Sequence, residues 1–284
     1  MKSSKNMLLN ISKKINPSFV EVLSIINTIT MELDIPFFIV GAMARDIIFE
    51  HCYGIKSPRR TLDIDLGIRI PDWNKFVLLT DALTMSGHFQ KTKLIYRYTR
   101  DDISVDIIPF GPIADEKMEI RFPTEENIVM SILGFEEVYC CSIKVRLRDT
   151  PKFDLKIPTV PGLCITKLIS WNEKYPERKR DAQDLLFIIK NYENIGTESV
   201  LYDKEAPMLK EEGFDVRLAS IRLLGREIKR MSDEKTLIKI KQILTNETDD
   251  NATKMIVDMH NNLREDFDEI LTLLKKLKQG VFYI

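Results

Sequence analysis

The sequence predicts an α+β fold, in which a mixed sheet with flanking helices is followed by an all-helical C-terminal domain. Two observations predict it. Segments typical of β-strands alternate with helical patterns up to about residue 157, and from Pro161 onward apolar residues recur at helical spacing. The chain has 284 residues, 44% of them hydrophobic, which is enough for two modest domains or one large one. We therefore expect a core domain over residues 1–158 and a helical domain over residues 159–284.

The first predicted elements follow from local signals near the N-terminus. Asn16 followed by Pro17 is typical of a helix start, and apolar residues at helical spacing then extend to about Asp34. The apolar run 37–40 predicts a short buried strand, which Gly41 ends with a tight turn into a helix. The further predicted elements are helix 42–50, strand 61–70, helix 71–86, strands 94–99 and 103–109, strands 138–148 and 153–157, and helices 161–174, 178–192, 216–231, 234–244 and 252–278, with a linker over 196–213.

The composition excludes some classes of protein. Lysine and arginine total 42 against 43 aspartate and glutamate residues, so a net charge of −1 gives no global field that would attract a polyanion. The four cysteines show no spacing typical of a metal site. The longest apolar run, 36–44, is far shorter than the ~20 residues that span a bilayer, and the N-terminal segment lacks a continuous apolar stretch. We expect a cytoplasmic protein with no membrane partner.

The predicted strand 61–70 carries an acidic face. Asp63 and Asp65 are two residues apart, so on a strand both side chains project to the same side while the aliphatic residues between them anchor the other. Two carboxylates held this close repel each other unless a cation lies between them, and Mg²⁺ prefers oxygen ligands. An Asp-x-Asp pair by itself is more typical of the exposed polar face of an edge strand than of a metal site.

Two further features favour a metal site over an exposed face. Asp106 lies in an apolar strand between Val105 and Ile107, where a carboxylate needs a partner. The turn at Gly41 leads into a helix, and a helix N-terminus offers backbone N–H groups to phosphate. Together, these features predict a magnesium site next to a phosphate-binding turn.

These segments carry a family resemblance. The motifs V-G-A-x-x-R-D at 40–46, R-R-T-L-D-I-D-L at 59–66 and V-D-I-I-P at 105–109 resemble the DNA polymerase β-like nucleotidyltransferase superfamily, and the first is also similar to the turn of the tRNA CCA-adding enzymes. The segments 160–171 and 178–185 are similar to the third and fourth motifs of the AbiEii/AbiGii family, the nucleotidyltransferase toxins of type IV toxin–antitoxin systems. The Arg60-Thr61 lead-in to the acidic pair also fits that family. The resemblance implies the nucleotidyltransferase fold.

The resemblance also implies roles for individual residues. Asp63 and Asp65 would ligate two Mg²⁺ ions, for which Mn²⁺ could substitute, and Asp106 would ligate the ion that activates the acceptor hydroxyl. The helical domain would complete the active-site cleft. The residues implied to bind the nucleotide are Gly41, Ala42, Arg45 and Lys167, and Asp181 would join the catalytic set with Arg178 or Arg180 nearby. Ala42 departs from the superfamily, which commonly has Gly or Ser there, and this puts triphosphate affinity or nucleotide choice in doubt.

The residues of the helical half also have plain structural interpretations. Lys167 could pack its stem on a helix face and keep its charged head in water. Asp181 and Asp184 could be ordinary helix-surface charges with close-range partners.

The implied reaction is metal-dependent transfer of a nucleoside monophosphate from an NTP, such as ATP or CTP, to an acceptor hydroxyl, with pyrophosphate as the leaving group. The resemblance favours RNA as the acceptor, at the 3′ end of tRNA, and a toxin controlled by an antitoxin protein encoded nearby. A basic strand face of Lys144, Arg146 and Arg148 could contact that acceptor, or could be a solvated face balanced by acids. Two other hypotheses are nucleotidylation of a small molecule or a protein, and a non-catalytic module that binds nucleic acid or the antitoxin.

Overall fold

A computed structural model describes residues 9–59, 61–123, 125–249, 254–260 and 266–283, and for 125–127 it describes the backbone alone. The chain divides into two compact units, one up to Thr159 and the other from Val160 onward. The first unit combines sheets with helices, and every regular element in the described part of the second is a helix. The predicted α+β fold class is confirmed.

The first unit begins with a short strand and then alternates helices and strands. Its helices are α1 (Pro17–Glu32), α2 (Gly41–Asp46), which continues as a π-helical turn (Ile47–Cys52), α3 (Trp73–Met85) and α4 (Phe135–Cys140). Its strands are β1 (Leu9–Asn10), β2 (Phe37–Val40), β3 (Asp63–Arg69), β4 (Gln90–Lys91), β5 (Arg97–Arg100), β6 (Ile103–Phe110), β7 (Glu119–Phe122), β8 (Glu125–Ser131), β9 (Ile143–Arg148) and β10 (Phe153–Ile157).

The central sheet has the strand order β2-β3-β6-β5-β4 in the described part of the chain. Strand β3 pairs antiparallel with β2 and parallel with β6, and β6 pairs antiparallel with β5. The interior residues Ile64, Leu66 and Ile68 of β3 are fully buried, so this strand lies in the core. Smaller sheets are formed by β1-β9-β10 and β7-β8.

The helix start predicted at Asn16 is confirmed. The Asn16 side chain accepts a hydrogen bond from the Ser18 N–H at 3.0 Å, and Pro17 occupies the first helical position, where its missing N–H costs no helix bond. In the same way, Asp72 caps α3 by accepting from the Lys75 N–H at 2.9 Å.

The predicted strand 138–148 is wrong in its first part. Residues Phe135–Cys140 form helix α4 instead, and the strand begins at Ile143. Gly134 precedes the helix in the left-handed region, at φ +86°, and Glu136 and Glu137 lie in its first turn, where the helix dipole favours acidic side chains.

The second unit is a set of helices. They are α5 (Val160–Glu173), α6 (Lys179–Asn191), which runs into a 3₁₀ turn (Tyr192–Asn194), α7 (Thr197–Asp203), α8 (Ala206–Glu211), α9 (Val216–Met231), α10 (Glu234–Asn246), α11 (Lys254–Met259) and α12 (Phe267–Phe282). Among the described helices, none combines the length and apolarity that crossing a bilayer requires.

Two predictions for this unit are wrong. The segment 196–213 is not a linker, because it forms α7 and α8 and buries Leu201 and Met208 in a cluster with Leu223. The predicted helix 252–278 is two helices, since Asp266 starts α12 with its own cap and accepts from the Asp268 N–H at 3.0 Å. Its predicted first residue, Ala252, lies outside the described residues.

Helices α9 and α12 cross at two glycines. A Cβ added at Gly225 would lie 2.2 Å from the Leu277 carbonyl oxygen, and one added at Gly280 would lie 2.0 Å from the Arg222 carbonyl oxygen. Both obstacles are backbone atoms, which cannot rotate aside. The crossing is therefore as close as two helix backbones allow.

Replacing Gly280 by alanine is expected to destabilise the protein by about 1–3 kcal/mol or more, because the helices must separate. Alanine in a helix interior is otherwise favoured over glycine by about 1 kcal/mol. A loss of stability would therefore show that the new Cβ collides with the backbone of α9. Urea unfolding measures it, with the exposed Thr272→Ala on the same helix as a control. A Gly280→Ala variant as stable as the wild type would contradict the close crossing.

Candidate active site

The strand register brings the three predicted acids onto one face of the central sheet. Strands β3 and β6 are adjacent and parallel, and Asp65 is paired directly with Asp106. Residues opposite each other on neighbouring strands project to the same side, and Asp63 shares that side because it lies two residues before Asp65. Asp63 is exposed, Asp65 is half-buried and Asp106 is only 8% exposed. We call this set the acidic face.

Gly41 lies against the acidic face. Strand β2 ends at Val40, which pairs with Asp65, and the next residue turns with φ +68° into α2. A Cβ at Gly41 would lie 2.0 Å from the Asp65 Oδ2 atom. Only glycine therefore allows the backbone to pass this close to the carboxylate in a left-handed conformation. The predicted turn into a helix is confirmed.

Arg97 is part of the acidic face, and sequence reasoning missed it. It is paired with Asp106 across strands β5 and β6. Its Nε atom donates to Asp106 Oδ1 at 2.6 Å and its Nη2 atom donates to Oδ2 at 2.7 Å. Both strands were predicted, and counting back from the turn at Asp101-Asp102 would have placed Arg97 opposite Asp106.

The pair is electrostatically strong. The hydrogen bond to Asp106 raises the pKa of Arg97 above its ordinary value; burial opposes this, and the charges of Asp106 and Asp63 add to it. The guanidinium of Arg97 is therefore influenced by the charge of Asp63 as well as by that of its direct partner, Asp106.

The acidic face fits a divalent cation by its donor chemistry. The acidic face has two carboxylates on β3 and one on the neighbouring strand β6, and carboxylate oxygens are ligands that Mg²⁺ prefers. The missing side chain at Gly41 leaves room for the Asp65 carboxylate. Within the described residues, however, no three acidic, histidine or cysteine side chains are already arranged around a common point as a metal site requires. The bidentate contact of Arg97 directs both oxygens of Asp106 toward the guanidinium.

The helix after Gly41 carries Ala42 and Arg45, two of the three other residues predicted to bind the nucleotide. Ala42 is half-buried in the first turn of α2. Arg45 is fully buried; its Nη2 and Nε atoms donate to Asp46 Oδ1 at 2.6 and 2.9 Å, and Nη2 also donates to the Arg59 carbonyl at 3.3 Å. Ser57 donates to the same Asp46 oxygen at 2.6 Å. Arg45 therefore ties α2 to the loop before β3, and its direct contact with nucleotide stays a prediction.

A cavity of about 510 Å³ lies between that loop, α2 and the start of α1. Its apolar lining includes Phe19, Met43 and Ile47. Its charged lining residues are Lys14, Lys56 and Arg59 together with the acids Asp46 and Glu50. The volume is within the roughly 300–1,000 Å³ of small-molecule sites. Thr61, two residues before Asp63 in the chain, also borders the cavity, whereas Asp63, Asp65 and Asp106 do not line it. Arg60, which precedes Thr61 in the segment before the acidic pair, lies outside the described residues.

The second unit contains a buried cluster of charges. Lys167 on α5 places its Nζ atom 2.6 Å from Asp181 Oδ1 and 2.8 Å from Asp184 Oδ2, both on α6. Arg178 Nε donates to the other Asp181 oxygen at 2.6 Å and is half exposed, while Arg180 is exposed. We call Lys167, Asp181 and Asp184 the buried cluster.

Burial rules out the plain interpretations of these residues. Lys167 is 6% exposed and Asp181 is 2% exposed. The amino group of Lys167 therefore does not lie in water, and Asp181 does not lie on the helix surface. Burial by itself lowers the pKa of Lys167, but the charges of Asp181 and Asp184 outweigh it and raise the pKa. Burial likewise raises the pKa of Asp181, but Lys167 and Arg178 outweigh it and lower the pKa. Lys167 and Asp181 are therefore both charged at neutral pH.

Residues 31–273 match the family described as nucleotidyl transferase AbiEii toxin, type IV toxin–antitoxin system. The chain belongs to this family. The resemblance stated from the sequence motifs is thereby confirmed, and this AbiEii-family protein is a nucleotidyltransferase. The match covers both units, so the helical unit belongs to the family as much as the sheet does.

Solved structures of nucleotidyltransferases are similar to the AbiEii-family chain at low sequence identity. The solution structure of the antibiotic-resistance factor ANT(2'')-Ia is 13% identical with a TM-score of 0.37, covering 70% of this chain and 98% of its own. The Thermotoga maritima CCA-adding enzyme complexed with tRNA is 10% identical with a TM-score of 0.28, covering 96% and 82%. No curated protein matches the sequence.

Replacing Lys167 by methionine is expected to cost this AbiEii-family protein about 3–5 kcal/mol of unfolding free energy, because buried carboxylates lose their shared cation. Lys179→Met on the same helix as Asp181 is the control: its side chain is 60% exposed and 3.7 Å from Asp258, so we expect less than about 1 kcal/mol. Urea unfolding at pH 7 makes the comparison. Equal stability of the two variants would contradict the importance of the buried cluster.

The same substitution has a pH dependence with a definite sign. The lowered pKa of Asp181 contributes stability above its unfolded value of about 3.9, which is lost as pH falls through the folded pKa. The raised pKa of Lys167 contributes stability below its unfolded value of about 10.4, which is lost as pH rises through the folded pKa. The difference between wild type and Lys167→Met should therefore be largest between about pH 4 and pH 10.

The predicted basic face lies on β9, where Lys144, Arg146 and Arg148 alternate with buried residues. Arg146 Nε donates to Asp154 Oδ1 at 2.7 Å. Arg148 donates to the Pro151 carbonyl at 3.1 Å, and Lys144 is exposed. The arginine charges of this face are thus engaged within the AbiEii-family protein, and contact with an acceptor stays a prediction.

Proposed function

We propose that this AbiEii-family protein transfers a nucleoside monophosphate from an NTP to an acceptor hydroxyl in a Mg²⁺-dependent reaction, and that the acceptor is RNA, at the 3′ end of tRNA. The observation that carries the proposal is the register of Asp65 with Asp106 beside the Gly41 turn. It joins three separate sequence motifs at one place on the sheet. Mn²⁺ would substitute for Mg²⁺ at a site made of carboxylates.

Asp63, Asp65 and Asp106 would hold the metal, which would lower the pKa of the acceptor hydroxyl and neutralise charge on the triphosphate. The protein groups then have positioning roles. Asp65 is held against the backbone at Gly41, and Asp106 is held in a strand whose neighbours Val105 and Ile107 are buried. The sheet thus fixes the backbone positions of these residues before any ligand arrives, so that only their side chains would have to turn toward a cation.

The phosphates of the nucleotide would lie at the Gly41 turn, and its base or ribose would reach the cavity lined by Met43 of the same helix. The apolar lining of that cavity suits a base or ribose, and Lys56 and Arg59 supply positive charge for phosphates. Arg45 would support this site from behind, because its guanidinium is buried against Asp46 and the loop. The family resemblance also assigns Lys167 to nucleotide phosphates and Asp181 to catalysis, and both assignments remain part of the proposal.

The biological role proposed is that of a growth-inhibiting toxin whose antitoxin is a separate protein encoded nearby. The family supports the toxin, since its description is that of a type IV toxin–antitoxin system. RNA as the acceptor is proposed from the family resemblance, and the similarity of the 40–46 motif to the turn of the tRNA CCA-adding enzymes agrees with it. Contact with a polyanion should then weaken steeply as salt increases.

Incubating the purified protein and Mg²⁺ with cell extract and each labelled nucleoside triphosphate in turn tests the proposal. Label in the tRNA band is the expected result, and its absence after the tRNA 3′ end is blocked by periodate oxidation would confirm the hydroxyl acceptor. Label in a protein band or in the small-molecule fraction would replace RNA with those acceptors. No labelling together with no Mg²⁺-dependent binding of any triphosphate would reject the enzyme and favour a binding module.

A further inference from the structure

The strongest feature that the proposed reaction does not use is the contact between Arg97 and Asp106. The guanidinium engages both oxygens of the carboxylate, at 2.6 and 2.7 Å, in the two-point geometry that makes arginine–carboxylate pairs strong. Asp106 is 8% exposed, so its charge depends on a partner within the protein. Arg97 is that partner.

The sheet directs Arg97 onto the acidic face and keeps the neighbouring arginine away. Arg97 is opposite Asp106 in the β5–β6 ladder, while Arg100 is opposite Ile103. Successive residues of a strand alternate between faces, so Arg97 and Arg100 point to opposite sides of the sheet. Accordingly, Arg100 pairs with Glu21 of helix α1, on the other side from the acidic face.

A divalent cation and the guanidinium would compete for Asp106. Both bind through charge and through the same two oxygens, and a carboxylate has a limited number of lone pairs to share. The side chain of Arg97 is 34% exposed, so its head can swing out into water without unpacking the core. Asp106 cannot move in the same way, because it lies in the middle of an eight-residue strand.

We propose that Arg97 is a built-in counterion of the acidic face that holds Asp106 until a divalent cation displaces it, so that it sets the metal concentration at which the site assembles. This inference rests on the proposed function, since it assumes that Asp106 is a metal ligand. Arg97 is a positioning residue in this scheme. It keeps the carboxylate correctly placed, and it prevents occupation by the cation at low metal concentration.

Titration of the full-length protein with Mn²⁺, with free Mn²⁺ measured by electron paramagnetic resonance, tests the competition without any activity assay. Arg97→Gln removes the positive charge and the two-point contact with Asp106. We expect Mn²⁺ to bind this variant at least about tenfold more tightly than the wild type. Arg97→Lys keeps the charge but loses the two-point geometry, and its affinity should fall between the two.

Arg100→Gln is the matched control for charge. It removes one positive charge from the same strand but on the opposite side of the sheet, and we expect its Mn²⁺ affinity to remain within about twofold of the wild type. If Arg97→Gln binds Mn²⁺ no more tightly than Arg100→Gln, the competition does not exist and the inference is wrong.

A second measurement covers the case in which Arg97→Gln folds poorly. In the wild type, the Nε–H resonance of Arg97, assigned by its loss in Arg97→Lys, should shift as Mg²⁺ is added and follow the same saturation curve as metal binding. A resonance that stays in place while Mg²⁺ saturates the protein would overturn the inference.

The outcomes separate the inference from the proposed function. If the wild type binds Mn²⁺ and Asp63→Asn weakens that binding, the metal site stands, and only the Arg97 variants decide the inference. If neither the wild type nor Arg97→Gln binds Mn²⁺ at any concentration tested, both fail. If Arg97→Gln binds Mn²⁺ and the wild type does not, the contact of Arg97 with Asp106 is stronger than proposed and the inference is supported.

Discussion

Replacing Asp63 by asparagine is expected to reduce nucleotide transfer on the order of a thousandfold, because the amide removes one negative charge from the face that would hold the metal. Asp63 is exposed, so the free energy of unfolding should change by no more than about 0.5 kcal/mol. The loss of activity can therefore be read as chemistry and not as unfolding. Single-turnover incorporation of labelled nucleotide and thermal unfolding measure the two effects on one preparation.

Asp102→Asn is the control for this variant. Asp102 is an exposed aspartate on the turn between β5 and β6, outside the acidic face, so the same change in charge should leave transfer within about twofold of the wild type. Full activity of Asp63→Asn would remove Asp63 from the set of metal ligands. Equal losses in both variants would point to a general effect of charge.

Gly41→Ala is expected to reduce transfer by about a hundredfold or more, because the new Cβ would lie 2.0 Å from the Asp65 Oδ2 atom and must push the carboxylate aside. A displacement of about 1 Å in a catalytic group is enough for an effect of this size. The φ of +68° at Gly41 adds a backbone cost of about 1–2 kcal/mol, since alanine is disfavoured there. Activity at saturating Mg²⁺ and the free energy of unfolding are the two measurements.

Gly87→Ala separates the collision from the backbone cost. Gly87 has φ +73°, nearly the value at Gly41, but a Cβ there meets nothing within 4 Å. Both variants should lose similar stability from the left-handed conformation, and only Gly41→Ala should lose activity. If the two variants have the same activity, the close approach of Gly41 to Asp65 has no catalytic importance.

Much of the candidate site was accessible from the sequence because it depends on short-range rules. The period-2 pattern around Asp63 and Asp65 predicted that both project from one face, and their strand is confirmed as Asp63–Arg69. The apolar run before Gly41 likewise predicted strand, turn and helix in the right order. Family motifs then predicted that Asp106 belongs with these residues, and the confirmed family matches residues 31–273.

The errors arose where local patterns were ambiguous. Val138 is apolar enough for either a strand or a helix, and the acids in the first turn of α4 favoured the helix. The short helices within 196–213 looked like a linker because they are too brief to show a clear period. They are stabilised by burying Leu201 and Met208 against Leu223 of α9, a contact between distant segments.

By itself, the sequence determined the fold class, the family, the acidic pair and the turn at Gly41, because strand alternation and turn chemistry act over a few residues. Only the tertiary structure decided which groups meet. The register of β3 with β6 pairs Asp65 with Asp106, and the register of β5 with β6 brings Arg97 onto that same carboxylate. The packing of α5 against α6 likewise places Lys167 between two buried aspartates. These partners are set by strand register and helix packing, in which a shift of one residue would turn a side chain to the opposite face.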